Sequence, residues 1–151
     1  MTFIIKVCEG DVMDDGETRA AALLRDTVGL GPARVVLRSC DGFMELFCDT
    51  GSFELAGEWL TVRRPEAHLH VQVRSLVGAC LLNPGGDAYP HAPSLWLVGR
   101  CAKPCVIVIF DVTTGVARER QMVDFAALRE RWGEHVAFDD GGRAAVGRLL
   151  H

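Results

Sequence analysis

The segment from Ala67 to Arg74 alternates strictly between apolar and polar residues, and this period of two constrains the fold more than any other feature of the chain. The apolar positions are Ala67, Leu69, Val71 and Val73, and the polar positions are His68, His70, Gln72 and Arg74. A β-strand turns successive side chains to opposite faces of its sheet, so the pattern predicts one face against a core and one open face. Two imidazoles are expected on the open face, with their anchor points about 6.5–7 Å apart.

Short strand-like segments fill the middle of the chain, and turn residues such as Asp41-Gly42 and the Pro-rich loop 83–93 separate them. The predicted strands are Ala33–Ser39, Phe43–Cys48, Glu58–Arg63, Ala67–Arg74, Val77–Leu82, Leu95–Gly99 and Cys105–Val112. A helical segment lies on each side of this series. The order predicts an α+β fold with a largely antiparallel β-sheet flanked by N- and C-terminal helices.

The two helices are predicted over Glu17–Val28 and Gln121–Trp132. Asp15 is a candidate N-cap of the first helix, and Gly133 is expected to end the second. The apolar stripe expected on the second helix comprises Met122, Phe125, Ala126, Arg129 and Trp132. The segment Val106–Phe110 is apolar on both faces, which predicts a position in the middle of the sheet.

Length and charge exclude several classes of protein. The 151 residues predict one domain over 1–151, with a core from 17 to 136, an uncertain segment from 1 to 16 in which Phe3–Val7 is a candidate short strand, and a tail from 139 to 151. The net charge of −4 argues against a nucleic-acid partner. The longest apolar run, Cys105–Phe110, is too short to cross a bilayer, and the N-terminus lacks a signal-peptide pattern. A cytoplasmic location without a membrane partner is therefore expected.

The sequence favours a binding protein over a catalyst. It contains no phosphate-binding loop, no dinucleotide-binding glycine motif, no nucleophile elbow and no His-Glu-x-x-His helix. The six cysteines are expected to be reduced thiols. Cys101 and Cys105 form the one close pair, which either closes a structural hairpin or has a redox or metal role.

Four strings stand out in order along the chain between Glu17 and about Val136: Gly57–Arg63, Ala67–Val71, Ser94–Leu97 with Val106–Phe110, and Phe125–Gly133. Together they resemble the haem-utilisation proteins of the ChuX, HutX and HemS type. The resemblance implies an antiparallel-sheet domain with flanking helices that binds haem, passes it on and associates as a homodimer. Breakdown of haem, which is credited to some relatives, is implied by the resemblance alone.

The resemblance also implies roles for individual residues. His70 matches the strand histidine and becomes the first candidate for the axial ligand of haem iron, with His68 as the second. Arg63, Arg64 and Arg74 are candidate partners of the haem propionates. Trp59 and Trp96 are candidates to line a flat pocket for the porphyrin.

Two departures from the family pattern keep other functions open. The segment Leu37–Cys40 lacks the second histidine of many relatives, and Leu82-Asn83-Pro84 replaces their Arg-Lys-Pro string. A domain of this shape that has lost haem would bind another small flat molecule, or a transition metal with His91 as a third ligand. The remaining alternative is a structural or regulatory homodimer without a ligand.

Overall fold

A computed structural model describes residues 2–5, 18–38, 41–48, 53–83, 92–100 and 104–148. The strands are β1 (Thr2–Ile5), β2 (Ala33–Arg38), β3 (Phe43–Cys48), β4 (Phe53–Ala56), β5 (Trp59–Arg63), β6 (His68–Gln72), β7 (Leu76–Leu82), β8 (Ser94–Gly99), β9 (Pro104–Ile109) and β10 (His135–Ala137). The α-helices are α1 (Arg19–Val28), α2 (Gly115–Trp132) and α3 (Asp140–Arg148). A short 3₁₀ turn, Val73–Ser75, joins β6 to β7.

The strands form two sheets. One has four strands in the order β1-β6-β5-β4, and the other has six in the order β10-β7-β8-β9-β2-β3. All described neighbours run antiparallel except β1 and β6, which are parallel. The predicted α+β class with a largely antiparallel sheet is therefore confirmed, and the strands divide between two sheets.

One main core includes the inner faces of both sheets and parts of two helices. The four-stranded sheet contributes Leu60, Val62, Leu69 and Val71, and the six-stranded sheet contributes residues such as Val35, Leu95, Leu97, Val106 and Val108. Leu23 and Leu24 of α1 and Phe125 and Leu128 of α2 belong to the same core. Each sheet therefore has an inner face in this core and an outer face directed away from it.

Strand β9 lies inside the six-stranded sheet, between β8 and β2, and Val106 to Phe110 are all buried. The central position predicted for this segment is confirmed. Ile107 and Ile109 face away from the main core and form a separate apolar cluster with Val36 and Ala92. A strand between two apolar layers needs side chains that are apolar at every position, which explains the uninterrupted run.

The helix ends differ from the prediction. Thr18 is the N-cap of α1, since its Oγ1 accepts a hydrogen bond from the Ala21 amide at 3.1 Å, whereas Asp15 lies outside the described residues. Helix α2 begins at Gly115, six residues before the predicted start, and ends before Gly133 as expected.

The buried face of α2 also differs from the predicted stripe. Its buried residues are Gln121, Phe125 and Leu128, whereas Ala126 is exposed. The Gln121 amide nitrogen donates to the carbonyl oxygens of Leu30 and Pro32, both at 2.9 Å. A polar residue with satisfied hydrogen bonds therefore holds α2 to the segment between α1 and β2, which an apolar pattern does not detect.

The C-terminal tail forms α3, which packs directly on β7. A Cβ atom built on Gly142 would lie 1.7 Å from the Val77 carbonyl oxygen, and one on Gly78 would lie 2.4 Å from Val146 Cγ2. Only glycine permits such a close approach of helix and strand backbones.

Strands β4 and β10 have no counterpart among the predicted strands; both are short, with four and three residues.

Candidate functional site

The outer face of the four-stranded sheet, hereafter the histidine face, contains two cross-strand rows that span β4, β5 and β6. The pairing register aligns Ala56 with Trp59 and Gln72, and Glu54 with Thr61 and His70. In a third position, Arg63 lies opposite His68. Residues directly opposite each other on adjacent strands bring their Cβ atoms to about 4.5–5.5 Å. The register therefore gathers the polar residues of three strands on one surface.

The alternation predicted for the histidine strand is confirmed from Ala67 to Gln72. Leu69 and Val71 are completely buried, whereas His68, His70 and Gln72 are half-buried on the opposite face. The strand itself ends at Gln72, so the prediction that it extends to Arg74 is wrong, although burial still alternates between the buried Val73 and the half-buried Arg74. Arg74 lies in the 3₁₀ turn, where the backbone no longer has a period of two.

His70 has a fixed partner on the neighbouring strand. Its Nδ1 lies 3.0 Å from Thr61 Oγ1, and Thr61 is only 6% exposed. In the tautomer with the proton on Nδ1, the imidazole donates to the Thr61 hydroxyl and Nε2 keeps its lone pair. Ligating histidines in metal sites are usually oriented by such a hydrogen bond from the other ring nitrogen. In that tautomer the ring of His70 is oriented by Thr61, and its Nε2 can accept a further partner.

Two rings surround His70 on the histidine face. The Trp59 ring lies edge-on to it with a centroid distance of 6.4 Å, and the His68 ring does so at 6.3 Å. The separation of the imidazoles agrees with the spacing expected of alternate residues in a strand. His70 is thus the central ring of three, with an apolar neighbour on one side and a polar neighbour on the other.

The candidate cations near the histidine face are engaged with carboxylates. Arg63 Nε lies 3.0 Å from Glu54 Oε2, and Arg74 Nη2 pairs with Glu58 Oε2. Arg64 Nε lies 3.5 Å from Glu66 Oε1. Each arginine proposed for propionates therefore has an acidic neighbour, and the two pairs Arg63–Glu54 and Arg74–Glu58 carry no net charge.

The structure does not bring Trp96 to the histidines. Trp96 lies on β8, on the outer face of the six-stranded sheet, where its Nε1 donates to Ser94 Oγ at 2.9 Å. The main core separates this face from the histidine face.

His91 and Cys101 lie outside the described residues, and the Cys105 thiol donates to the Leu97 carbonyl at 3.4 Å across the antiparallel β8–β9 pair.

No group of three or more His, Cys, Asp and Glu side chains suited to a metal ion occurs within residues 2–5, 18–38, 41–48, 53–83, 92–100 and 104–148. His68 and His70 thus provide two donors for a directly bound transition metal, fewer than the three or four protein ligands of common zinc sites.

Two of the cavities among the described residues lie away from the histidines. An open groove of about 340 Å³ lies between α1 and α2, and its lining includes Asp26, Asp124 and Arg131. A space of about 10 Å³ lies between the sheets, bounded by residues such as Leu60, Leu95 and Phe110. Neither of these two cavities is lined by His70.

The comparisons place the fold among known structures. A search of protein-family models and a search of curated proteins find no match. Among solved structures, a protein from Agrobacterium tumefaciens matches with a TM-score of 0.57 and 13% identity, over 75% of this chain and 66% of that chain. ChuX, described as a haem-binding protein, matches with a TM-score of 0.55 and 10% identity, over 73% of this chain and 70% of its own. A protein from Erwinia carotovora matches with a TM-score of 0.55 and 10% identity, over 75% of this chain and 71% of that chain.

The chain therefore has the fold of ChuX and its structural relatives, as a divergent example of it. The resemblance drawn from the sequence strings is confirmed at the level of the fold. Across the described parts of the chain, none of the helices has the length and apolar character needed to cross a membrane.

Sequence reasoning missed three residues of the histidine face: Thr61, Glu54 and Glu58. Thr61 alternates with Trp59 and Arg63 in a predicted strand, so the sequence could have placed it on the same face as these two residues. Its place beside His70 depends on the register between β5 and β6, which a single strand pattern does not contain. Glu54 belongs to β4, the edge strand that no sequence pattern indicated.

Proposed function

We propose that the histidine face binds haem, with His70 Nε2 as an axial ligand of the iron. The observation that carries the proposal is the contact of His70 Nδ1 with the buried Thr61 hydroxyl at 3.0 Å. With the proton on Nδ1, this contact orients the ring and leaves the lone pair of Nε2 for a ligand. The similarity of the fold to that of ChuX supports the choice of haem over other flat molecules.

The residues around His70 suit a planar ligand with one apolar and one polar part. Haem iron accepts a neutral imidazole as an axial ligand. Trp59 offers an apolar surface next to His70. His68 and Arg63 lie opposite each other beyond His70 and offer polar groups. His70 would hold the iron, and its neighbours would orient the macrocycle.

Carriage of haem is the activity this arrangement favours. His68 and His70 are half-buried on the outer face of a sheet, where a bound porphyrin would stay within reach of a recipient protein, whereas breakdown of haem depends on a pocket that orients the cofactor and excludes competing reactions. We therefore infer a role in haem trafficking inside the cell, without turnover of haem.

A hemin titration of the purified chain, followed by its Soret band, tests the proposal. We expect saturable binding by the wild type and a large loss of affinity, with an altered spectrum, in His70→Ala. His135→Ala is the matched control, because His135 is also a strand histidine but lies exposed on β10 of the other sheet. Equal titrations of all three proteins, or no Soret change in the wild type, would refute the assignment.

A homodimer is a second candidate property, which the edge strand β3 favours. Phe43 is 71% exposed and Phe47 is 56% exposed, and both lie on the last strand of the six-stranded sheet. Large exposed aromatic residues on an edge strand are typical of a surface that is covered by a partner. We expect a dimer in light scattering and a monomer when Phe43 and Phe47 are both replaced by glutamate. A wild type that remains monomeric at high concentration would exclude this assembly.

A further inference from the structure

We infer that Glu54 determines specificity on the histidine face: it occupies Arg63 and thereby weakens binding of ligands that carry carboxylates. This inference rests on the proposed function, since it concerns the charge of the porphyrin that His70 would hold. It predicts that the face discriminates little between dianionic haem and a porphyrin whose propionates are esterified. Removal of Glu54 should create that discrimination.

The position of Glu54 carries the argument. Glu54 shares a cross-strand row with Thr61 and His70, and its carboxylate lies 3.0 Å from Arg63 Nε. Arg63, a cation that could meet a propionate at this end of the face, is thus already paired with an anion. A ligand carboxylate must compete with Glu54 for the guanidinium and also meets its negative charge.

The two ends of the histidine face are chemically different. Arg63 and His68 lie on one side of the row that contains His70. Trp59 lies on the other side, and Glu58 and Arg74 pair beyond it. Haem carries both propionates on one edge, so a molecule centred on His70 directs them to one end. The indole favours the apolar edge of the porphyrin, which turns the propionates toward Arg63.

The expected effect is modest because the pair is exposed. The side chains of Arg63 and Glu54 are 57% and 55% exposed, so solvent screens the ion pair. Exposed pairs of this kind change an equilibrium by about two- to fivefold. Freeing Arg63 should therefore tighten binding of a propionate-bearing ligand by about this factor.

The test compares hemin with hemin dimethyl ester, whose periphery is uncharged. We expect Glu54→Gln to bind hemin about two- to fivefold more tightly than the wild type, with unchanged affinity for the ester. High salt should reduce the gain, because it screens the freed guanidinium. Thermal unfolding checks that the variants remain folded.

Two matched variants serve as controls. Glu58→Gln frees Arg74 at the opposite end, and Glu134→Gln removes a carboxylate that pairs with Arg129 at 3.1 Å, away from the histidine face. Both should leave the ratio of the two affinities unchanged. An unchanged ratio in Glu54→Gln, or an equal change in Glu58→Gln, would overturn the inference. If neither porphyrin binds the wild type, the proposed function itself fails, whereas binding that depends on His70 with an unchanged ratio refutes only the role of Glu54.

Discussion

At the scale of single residues, the hydrogen bond between Thr61 and His70 is the most informative contact on the histidine face. Outer hydrogen-bond partners of metal ligands commonly change affinity by about 10–100-fold when they are removed. We expect Thr61→Val, which keeps the shape and removes the hydroxyl, to weaken hemin binding by about tenfold or more. A hemin titration measures the change.

Thr27 provides the control for this prediction. It is also a buried threonine, but its Oγ1 donates to the Leu23 carbonyl inside α1 at 2.8 Å. Thr27→Val should therefore leave hemin affinity unchanged. A titration in which both variants lose affinity equally would mean that general loosening of the fold, and not the orientation of His70, explains the effect.

Cys80 predicts a dependence of stability on pH. Burial, with a smaller contribution from the charge of Glu134, raises the pKa of the Cys80 thiol from 9.0 to about 11. The folded state therefore keeps its proton between pH 9 and 11, where the unfolded chain loses it. The stabilisation is complete below pH 9 and is lost as the pH rises to about 11.

Chemical denaturation at a series of alkaline pH values checks this sign. The free energy of unfolding of the wild type should fall more steeply between pH 9 and 11 than that of Cys80→Ala. The comparison uses the slopes of the free energy of unfolding against pH. The pH-independent destabilisation by the substitution and the titration of other groups then cancel between the two proteins. Parallel curves for the two proteins would contradict the shift.

At the scale of elements, the packing of α3 on β7 depends on glycine. Since a Cβ on Gly142 would lie 1.7 Å from the Val77 carbonyl oxygen, Gly142→Ala must displace the helix or the strand. We expect a loss of at least about 1–3 kcal/mol in the free energy of unfolding, as for overpacked cores. A Cβ added to Gly147 of the same helix would meet no atom within 4 Å.

Gly147→Ala is therefore the matched control. Within a helix, this exchange should raise the free energy of unfolding by a few tenths to about 1 kcal/mol. Denaturant titrations of both variants measure the difference. Similar effects of the two substitutions would show that α3 does not make this close contact.

The elements that the sequence predicts well are those with a local pattern. Burial on one face produces the alternation around Leu69 and Val71, and burial on both faces produces the apolar run of β9. Both patterns are visible in a few consecutive residues of the sequence. The start of α2 cannot be predicted in this way. Val116 is 81% exposed, and the first turns of the helix bury no apolar residues at helical spacing. The buried Gln121 also escaped prediction, since its partners Leu30 and Pro32 are remote in sequence.

Only part of the candidate site can be predicted from the sequence. His68 and His70 share a strand, so their common face is a local property that the sequence reveals. Thr61 and Glu54 reach that face through strand register, which depends on turns and on long-range packing. Trp96 was wrongly expected near the histidines for the same reason. Trp59 and Trp96 lie in similar strand patterns, but the strands belong to different sheets.

At the scale of the whole molecule, two sheets with one shared core produce two outer faces of different character. The histidine face is polar, with His70 at its centre, whereas the outer face of the six-stranded sheet carries Ile107, Ile109 and the exposed Phe43 and Phe47 on its edge strand. We propose that the first binds the ligand and the second meets a second copy. On this proposal, one fold would separate haem binding from assembly.

The central claim is that the His70 imidazole supplies the axial ligand, and rescue of His70→Gly by free imidazole tests it most directly. The variant should lose the Soret spectrum of the wild-type complex, because its ligand is missing, and added imidazole should restore the spectrum by occupying the vacated position. Imidazole should have no such effect on His135→Gly, which should match the wild type without it. An unaltered hemin spectrum in His70→Gly would contradict the account.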